Sequence, residues 1–199
     1  MSGSAGMRGY LLQTLISLLD GLTADSEWIE LSLEPQVTSE KVDLLWVYPA
    51  RKKVVQVKSS QNQITKPQVE LWASELESSL SADEYALLLL GPCSQSVVEI
   101  DHVGKVNIPA PRVLDPLGLI EQAAHRLDRY LEAQGISKVP AFAREIIVSG
   151  LITKLEIYST QGTPISRNDF DKLLRDWILV LYPRSLNEAV SMQCDLLLV

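Results

Sequence analysis

Apolar and polar positions alternate with two different periods along this chain, and the changes of period mark its elements. Leu11, Leu12, Leu15, Ile16, Leu18, Leu19 and Leu22 recur at helical spacing, so residues 9–22 read as a helix with one broad buried face. Residues 1–8, rich in Gly and Ser, read as a flexible leader. In residues 28–34, Ile29, Leu31 and Leu33 alternate with Glu30, Ser32 and Glu34, the pattern of a half-exposed strand. A polar turn at 35–41 follows. Two strongly apolar runs come next, one holding Asp43 among Val42, Leu44, Leu45 and Trp46, the other holding Gln56 and Lys58 among Val54, Val55 and Val57. A turn near residues 49–52 folds them into an antiparallel hairpin with Asp43 opposite, or almost opposite, Lys58.

After a polar loop at 59–65, a helix starts with Pro67 in its first turn and runs to about residue 80, burying Val69, Trp72, Ala73 and Leu76. Residues 85–90 form a continuous apolar run stopped by Gly91-Pro92, as expected of a central buried strand. The order α-β-β-β-α-β predicts a mixed sheet flanked by helices, in the α/β (α+β) class. Beyond it, residues 97–99 and 105–108 read as short edge strands. Helices are expected at 117–134, 141–155 and 166–181, the last opened by Ser166 with Asp169 three residues on as an approximate capping box. The chain thus divides into a core at 1–112 and a helical extension at 113–199. The closing apolar run, Cys194 to Val199, suggests the start of a longer chain.

Composition narrows the functions. With 199 residues and 46% hydrophobic content there is enough apolar material for a real core. A net charge of -7 argues against indiscriminate binding to polyanions, so such a partner needs a local basic patch or a divalent cation. Two cysteines, Cys93 and Cys194, supply neither a disulfide framework nor a zinc site. No apolar run reaches bilayer length and no signal peptide opens the chain, so no membrane partner and a cytoplasmic location are expected. No Gly-rich phosphate loop is present, and His102 and His125 lack partners at catalytic spacing.

The hairpin remains the place where chemistry is concentrated. Charges seldom sit in apolar runs unless they are paired, bound to an ion or used in a reaction. Gln56 and Lys58 share one face of their strand, and an even offset across the turn adds Asp43 to that face, with opposed side chains roughly 5 Å apart. A slip of one residue would destroy the cluster. A buried Asp–Lys pair beside a hydrogen-bonded Gln is the purely structural reading, but desolvation makes such a pair a poor way to gain stability alone.

Asp43 followed by Gln56-x-Lys58, in this order of elements, resembles the PD-(D/E)xK nuclease superfamily with its restriction-endonuclease-like fold. It is most similar to the N-terminal nuclease domains of bacterial anti-phage effectors, including NACHT/STAND-associated ones. Those show an Arg-Gly-aromatic-x-x-Gln opening helix (Arg8 to Gln13), Lys-Val-Asp-x-x-Trp (Lys41 to Trp46) and Gln-Val-Lys-Ser-Ser (Gln56 to Ser60). The likeness covers residues 7–92 well and the remainder loosely. Gln56 departs from the superfamily's usual acid. The resemblance implies an endonuclease with Mg²⁺ (or Mn²⁺) held by Asp43, the Gln56 oxygen and either Glu34 or Glu30, with Lys58 stabilising charge or orienting water and Gln13 in support. It further implies DNA held through phosphates, with Ser59, Ser60, Lys53 and Lys66 as candidates beside Arg51 and Lys52, and a homo-oligomer or a larger effector protein. Two other readings stay open: a catalytically degenerate module that binds nucleic acid or mediates assembly, and a protein-interaction domain.

Overall fold

In the computed structural model, residues 3–23, 27–35, 41–136 and 139–183 are described. Their elements are α1 (Gly3–Gly21), β1 (Glu30–Leu33), β2 (Leu44–Val47), β3 (Lys52–Ser59), α2 (Lys66–Ser79), β4 (Glu84–Leu90), α3 (Gln95–Val98), β5 (His102–Val103), β6 (Val106–Asn107), α4 (Pro116–Ala133), α5 (Ala141–Thr160), β7 (Ile165–Ser166) and α6 (Arg167–Leu181). The first six reproduce the α-β-β-β-α-β order. Together with β5, β6 and β7 their strands build a seven-stranded mixed sheet in the order β5-β6-β4-β3-β2-β1-β7. The strands β1, β2 and β3 form an antiparallel meander, while β3 and β4 run parallel, joined through α2. This parallel pair is the covered centre of the sheet, so β4 is apolar on both faces, as its Leu87–Leu90 run requires.

Two cores sandwich the sheet. On one face Leu31, Leu44, Trp46, Val55, Val57 and Leu88 pack against α1, α4, α5 and α6. On the other, Val54, Leu87 and Leu89 meet Val69, Ala73 and Leu76 of α2 and Val97 of α3. A chain of edge-to-face rings, Trp46–Trp28–Phe170–Tyr130, crosses the first core with centroids 5.5, 5.7 and 6.1 Å apart. Each such contact adds about 0.5–1.5 kcal/mol beyond area burial. The helices beyond residue 113 therefore share one core with α1 and the sheet. No helix among the described residues is long and apolar enough to cross a membrane.

Several boundaries differ from the sequence reading. The expected leader is helical from Gly3, because a helix with a packed nucleus extends by one bond per residue even through Gly6 and Gly9. Residues 97–99 are not an edge strand: Gln95–Val98 is a single helical turn, with the Ser94 carbonyl accepting from Val97 N at 2.9 Å. A three-residue apolar window cannot distinguish the two. The two-residue strand β7, unannounced by periodicity, pairs with β1. Ser166 caps α6 as expected, accepting from Asp169 N at 3.1 Å. Most of the 35–41 turn and the Cys194–Val199 run lie outside the described residues.

Candidate active site

The site is built where β1 ends, β2 begins and β3 ends. The hairpin turn lies at 48–51, with Tyr48 N donating to the Arg51 carbonyl, and Leu44 pairs with Val55. This register sets Asp43 beside Gln56 and not opposite Lys58, a correction of two residues. Lys58 is the next side chain on the Gln56 face of β3.

Asp43 leaves the regular ladder. Its N–H donates to the Val55 carbonyl, already paired with Leu44, while its own carbonyl accepts from Glu34 N on the β1 side. Two residues thus stand against one, the definition of a β-bulge, a device that re-aims side chains beside active sites. The Asp43 side chain takes over a bond that the ladder would have made: its Oδ2 accepts from Val57 N at 2.6 Å.

Glu34 is brought to Asp43 by the Leu33–Leu44 pair and by an unusual backbone, φ +44°, the one positive φ of a non-glycine among the described residues. A residue before proline prefers extended backbone, so this left-handed turn ahead of Pro35 costs on the order of 1 kcal/mol or more. Glu30 sits at the far end of β1, opposite Val47 and Ser166. Of the two glutamates that the alternation pattern left open, Glu34 is the one at the site.

Gln13, on α1, hydrogen-bonds both carboxylates. Lys58 acts electrostatically on both, and its ammonium lies 5.7 Å from the Trp72 ring centre of α2. Burial pushes the Asp43 carboxyl up to about 6, with the Glu34 charge adding to the rise. The Val57 N–H, Lys58 and Gln13 oppose it. Glu34 is raised too, by burial, against the pull of Gln13 and Lys58. Gln56 is fully buried, and neither its Oε1 nor its Nε2 has a hydrogen-bond partner among the described residues. Such orphaned groups cost about 1–3 kcal/mol each.

The remaining candidates divide by position. Ser59 ends β3 one residue from Lys58, and Ser60 closes a small turn by donating to the Asn62 carbonyl at 2.7 Å. That loop is locked to β4 by Gly91, where a Cβ would stand 2.0 Å from the Ser60 carbonyl oxygen. Lys66 opens α2 after this loop and pairs with Glu70 at 3.8 Å. Lys53 is elsewhere: it faces Trp46 and Glu84 across the sheet, about 17 Å along β3 from Lys58 and, by alternation, on the other face. Arg51 pairs with Glu84 at that same distant end. The bulge and the Glu34 turn escaped sequence reading; the adjacency of Glu34 to Pro35 is the one signal that the strand ends there.

The fold is thus a mixed α/β sheet carrying two carboxylates, two amides and a lysine at one end of its central strands. No protein-family model and no curated protein sequence matches the chain. By structure it is similar to the Moraxella osloensis Cap4 SAVED/CARF-domain containing receptor, with a TM-score of 0.54 and 9% identity over 85% of this chain. The match takes in 46% of that receptor, so the chain spans less than half its length. At this identity the likeness speaks for the fold alone.

Proposed function

We propose that this domain is a metal-dependent endonuclease that hydrolyses DNA phosphodiesters, working as an effector in bacterial anti-phage defence. The observation that carries the reading is a buried Asp43, its carboxyl pushed up to about 6, within electrostatic reach of Glu34 and Lys58, with a buried, unpartnered Gln56 amide on the strand that carries Lys58. Asp43, its carboxyl pushed up to about 6 by burial, and Glu34, raised in the same sense, are two carboxylates in want of a cation. Among the described residues no three His, Cys, Asp or Glu side chains gather, so Gln56 would have to supply the third oxygen. Asp43, Glu34 and the Gln56 carbonyl form a hard-oxygen set that suits Mg²⁺ or Mn²⁺. When bound, the ion supplies Lewis-acid stabilisation of a phosphate and acidifies water near neutral pH.

The chain's own residues do the rest. Gln13 holds both carboxylates in place through its amide. Val57 N–H fixes one Asp43 oxygen, Oδ2. Lys58, steadied over Trp72, stabilises negative charge as water adds to phosphorus and the P–O bond to the leaving oxygen breaks. The anti-phage role draws on the sequence resemblance; oligomerisation within a longer protein would supply the avidity that an acidic domain lacks.

Plasmid nicking tests this. Wild-type protein with Mg²⁺ or Mn²⁺ should convert supercoiled plasmid, and Asp43→Ala, Lys58→Ala and chelator should each reduce the rate at least about 100-fold. An inactive wild type that still binds DNA would establish the second reading, a degenerate nuclease-fold module, which Gln56 in the place of an acid favours.

A further inference from the structure

A lysine carries its charge at the end of a flexible four-carbon stem, so an ammonium that acts at one spot needs something to hold it there. Around α2 the usual holder is a carboxylate. Lys41, Lys66 and Lys105 reach Glu75, Glu70 and Glu77 of that helix at 2.9, 3.8 and 4.0 Å. Lys58 meets the same helix on different terms. Among the described residues no carboxylate lies within ion-pair distance of its Nζ, and Asp43 and Glu34 act on it from further off. What α2 sets against it is the Trp72 indole, with Nζ 5.7 Å from the ring centre, inside the roughly 6 Å at which a ring face attracts a cation.

The indole is held in turn. A capping box fixes the start of α2, with Gln68 Oε1 accepting from Thr65 N at 2.9 Å. Val69, Ala73 and Leu76, fully buried, set the register of the helix on the sheet. Trp72 follows Val69 by three residues and precedes Leu76 by four, so it lies along that packed side and is itself half-buried against the core. The kind of side chain matters chemically. A glutamate here would form a charge-assisted pair with the ammonium and compete with a phosphate for it. An indole offers a π face, with no charge and no acceptor oxygen.

We propose that Trp72 is a positioning residue of the site: its ring face holds the Lys58 ammonium where it acts and leaves that charge unneutralised for a phosphate oxygen. The inference rests on the nuclease reading for what Lys58 does there. For how Lys58 is held, it rests on the Trp72 contact and on the contrast with the three lysines that α2 pairs with glutamates. What position 72 must supply is then an aromatic face, and apolar volume alone does not replace it. A Lys58 released from the ring keeps its charge and loses its place, which lowers turnover more than substrate binding.

The test combines NMR of protein carrying isotope-labelled lysine with the kinetics of plasmid nicking. In proton–carbon correlation spectra the Lys58 ε-methylene signal, assigned by its loss in Lys58→Arg, should lie upfield of the other lysines under the indole ring current. Trp72→Leu should return it to their position, and Trp72→Phe should keep part of the shift. In nicking with Mg²⁺, Trp72→Leu should lower kcat about 5–10-fold with KM for plasmid within about twofold, while Trp72→Phe stays within about threefold of wild type. Glu75→Gln, which breaks an exposed ion pair on the same helix, should stay within about twofold. A Lys58 signal that is not upfield, or that does not move in Trp72→Leu, would overturn the inference. So would a kcat for Trp72→Leu within about twofold of wild type, or a loss in Trp72→Phe as large as that in Trp72→Leu. Each of these leaves the nuclease reading in place so long as the wild type nicks and Lys58→Ala does not. A wild type that does not nick removes that reading, and the positioning role with it, whatever the spectra show.

Discussion

The two ends of the β2–β3 hairpin carry similar charges under opposite conditions. At the turn, Arg51 meets Glu84 at 3.1 Å and lies over the Tyr48 ring, and Asp83 accepts from Lys52 N at 2.7 Å. Every one of these partners is solvated, and the arrangement closes a turn at little cost. At the open end, Asp43 is 7% exposed, Gln56 is not exposed at all, and the backbone at Glu34 is strained. One end satisfies its polar groups; the other keeps them short of partners. Polar residues held against their own preferences in a well-packed sheet mark a site shaped by something other than stability.

The largest effect on stability should come from removing the Asp43 charge. Its carboxyl titrates near 6 in the folded protein against an ordinary value of 3.8. Between those values the folded state binds the proton and the unfolded chain does not, so stability is greatest below about pH 4 and falls as pH rises through 6. The loss amounts to about 3 kcal/mol. Glu34, raised in the same sense, adds to it. Asp43→Asn keeps an acceptor for Val57 N–H without the charge. In urea denaturation it should exceed wild type by about 2–3 kcal/mol at pH 7.5 and match it near pH 4. Added Mg²⁺ should narrow the gap at pH 7.5 by stabilising only the wild type. A gap of equal size at both pH values would show that Asp43 is not strained by its charge.

A smaller gain should follow from Gln56→Leu. The amide is buried with both polar atoms unpartnered, and leucine fills a similar volume without them. Stability should rise by about 1–2 kcal/mol while nicking is lost. If the variant is less stable, Gln56 is a satisfied structural residue and cannot be the third oxygen of the site.

How far the sequence could be read differs between these two ends as well. The α-β-β-β-α-β order was legible because α1, β3, α2 and β4 each carry their own periodicity over seven residues or more. Asp43, Gln56 and Lys58 stood out because each interrupts an apolar run, and Gln13 because the opening-helix motif contains it. The choice between Glu30 and Glu34 was not legible: both lie on one polar face, and what separates them is the Leu33–Leu44 register and a left-handed turn, neither of which leaves a periodic trace. The same holds for β7 and α3, two to four residues long, whose form depends on which edge or helix lies beside them. Lys53 looked like a phosphate ligand because basic residues cluster in sequence at the turn. Strand rise alone carries it some five residues from Lys58 and alternation turns it to the other face.

That last point yields the smallest expected effect and the sharpest control. Arg51 and Glu84 are both about half exposed, and pairs of that kind contribute about 0.2–0.5 kcal/mol. Arg51→Ala and Lys53→Ala should therefore shift the urea midpoint by no more than about 0.5 kcal/mol and leave plasmid nicking within about twofold of wild type. Charge removal alone cannot explain a contrast with Lys58→Ala, since all three substitutions delete one cation from the same hairpin. If Lys53→Ala reduced nicking as severely as Lys58→Ala, the turn would have to lie in the path of the DNA. The separation between a satisfied end and a working end would then be lost.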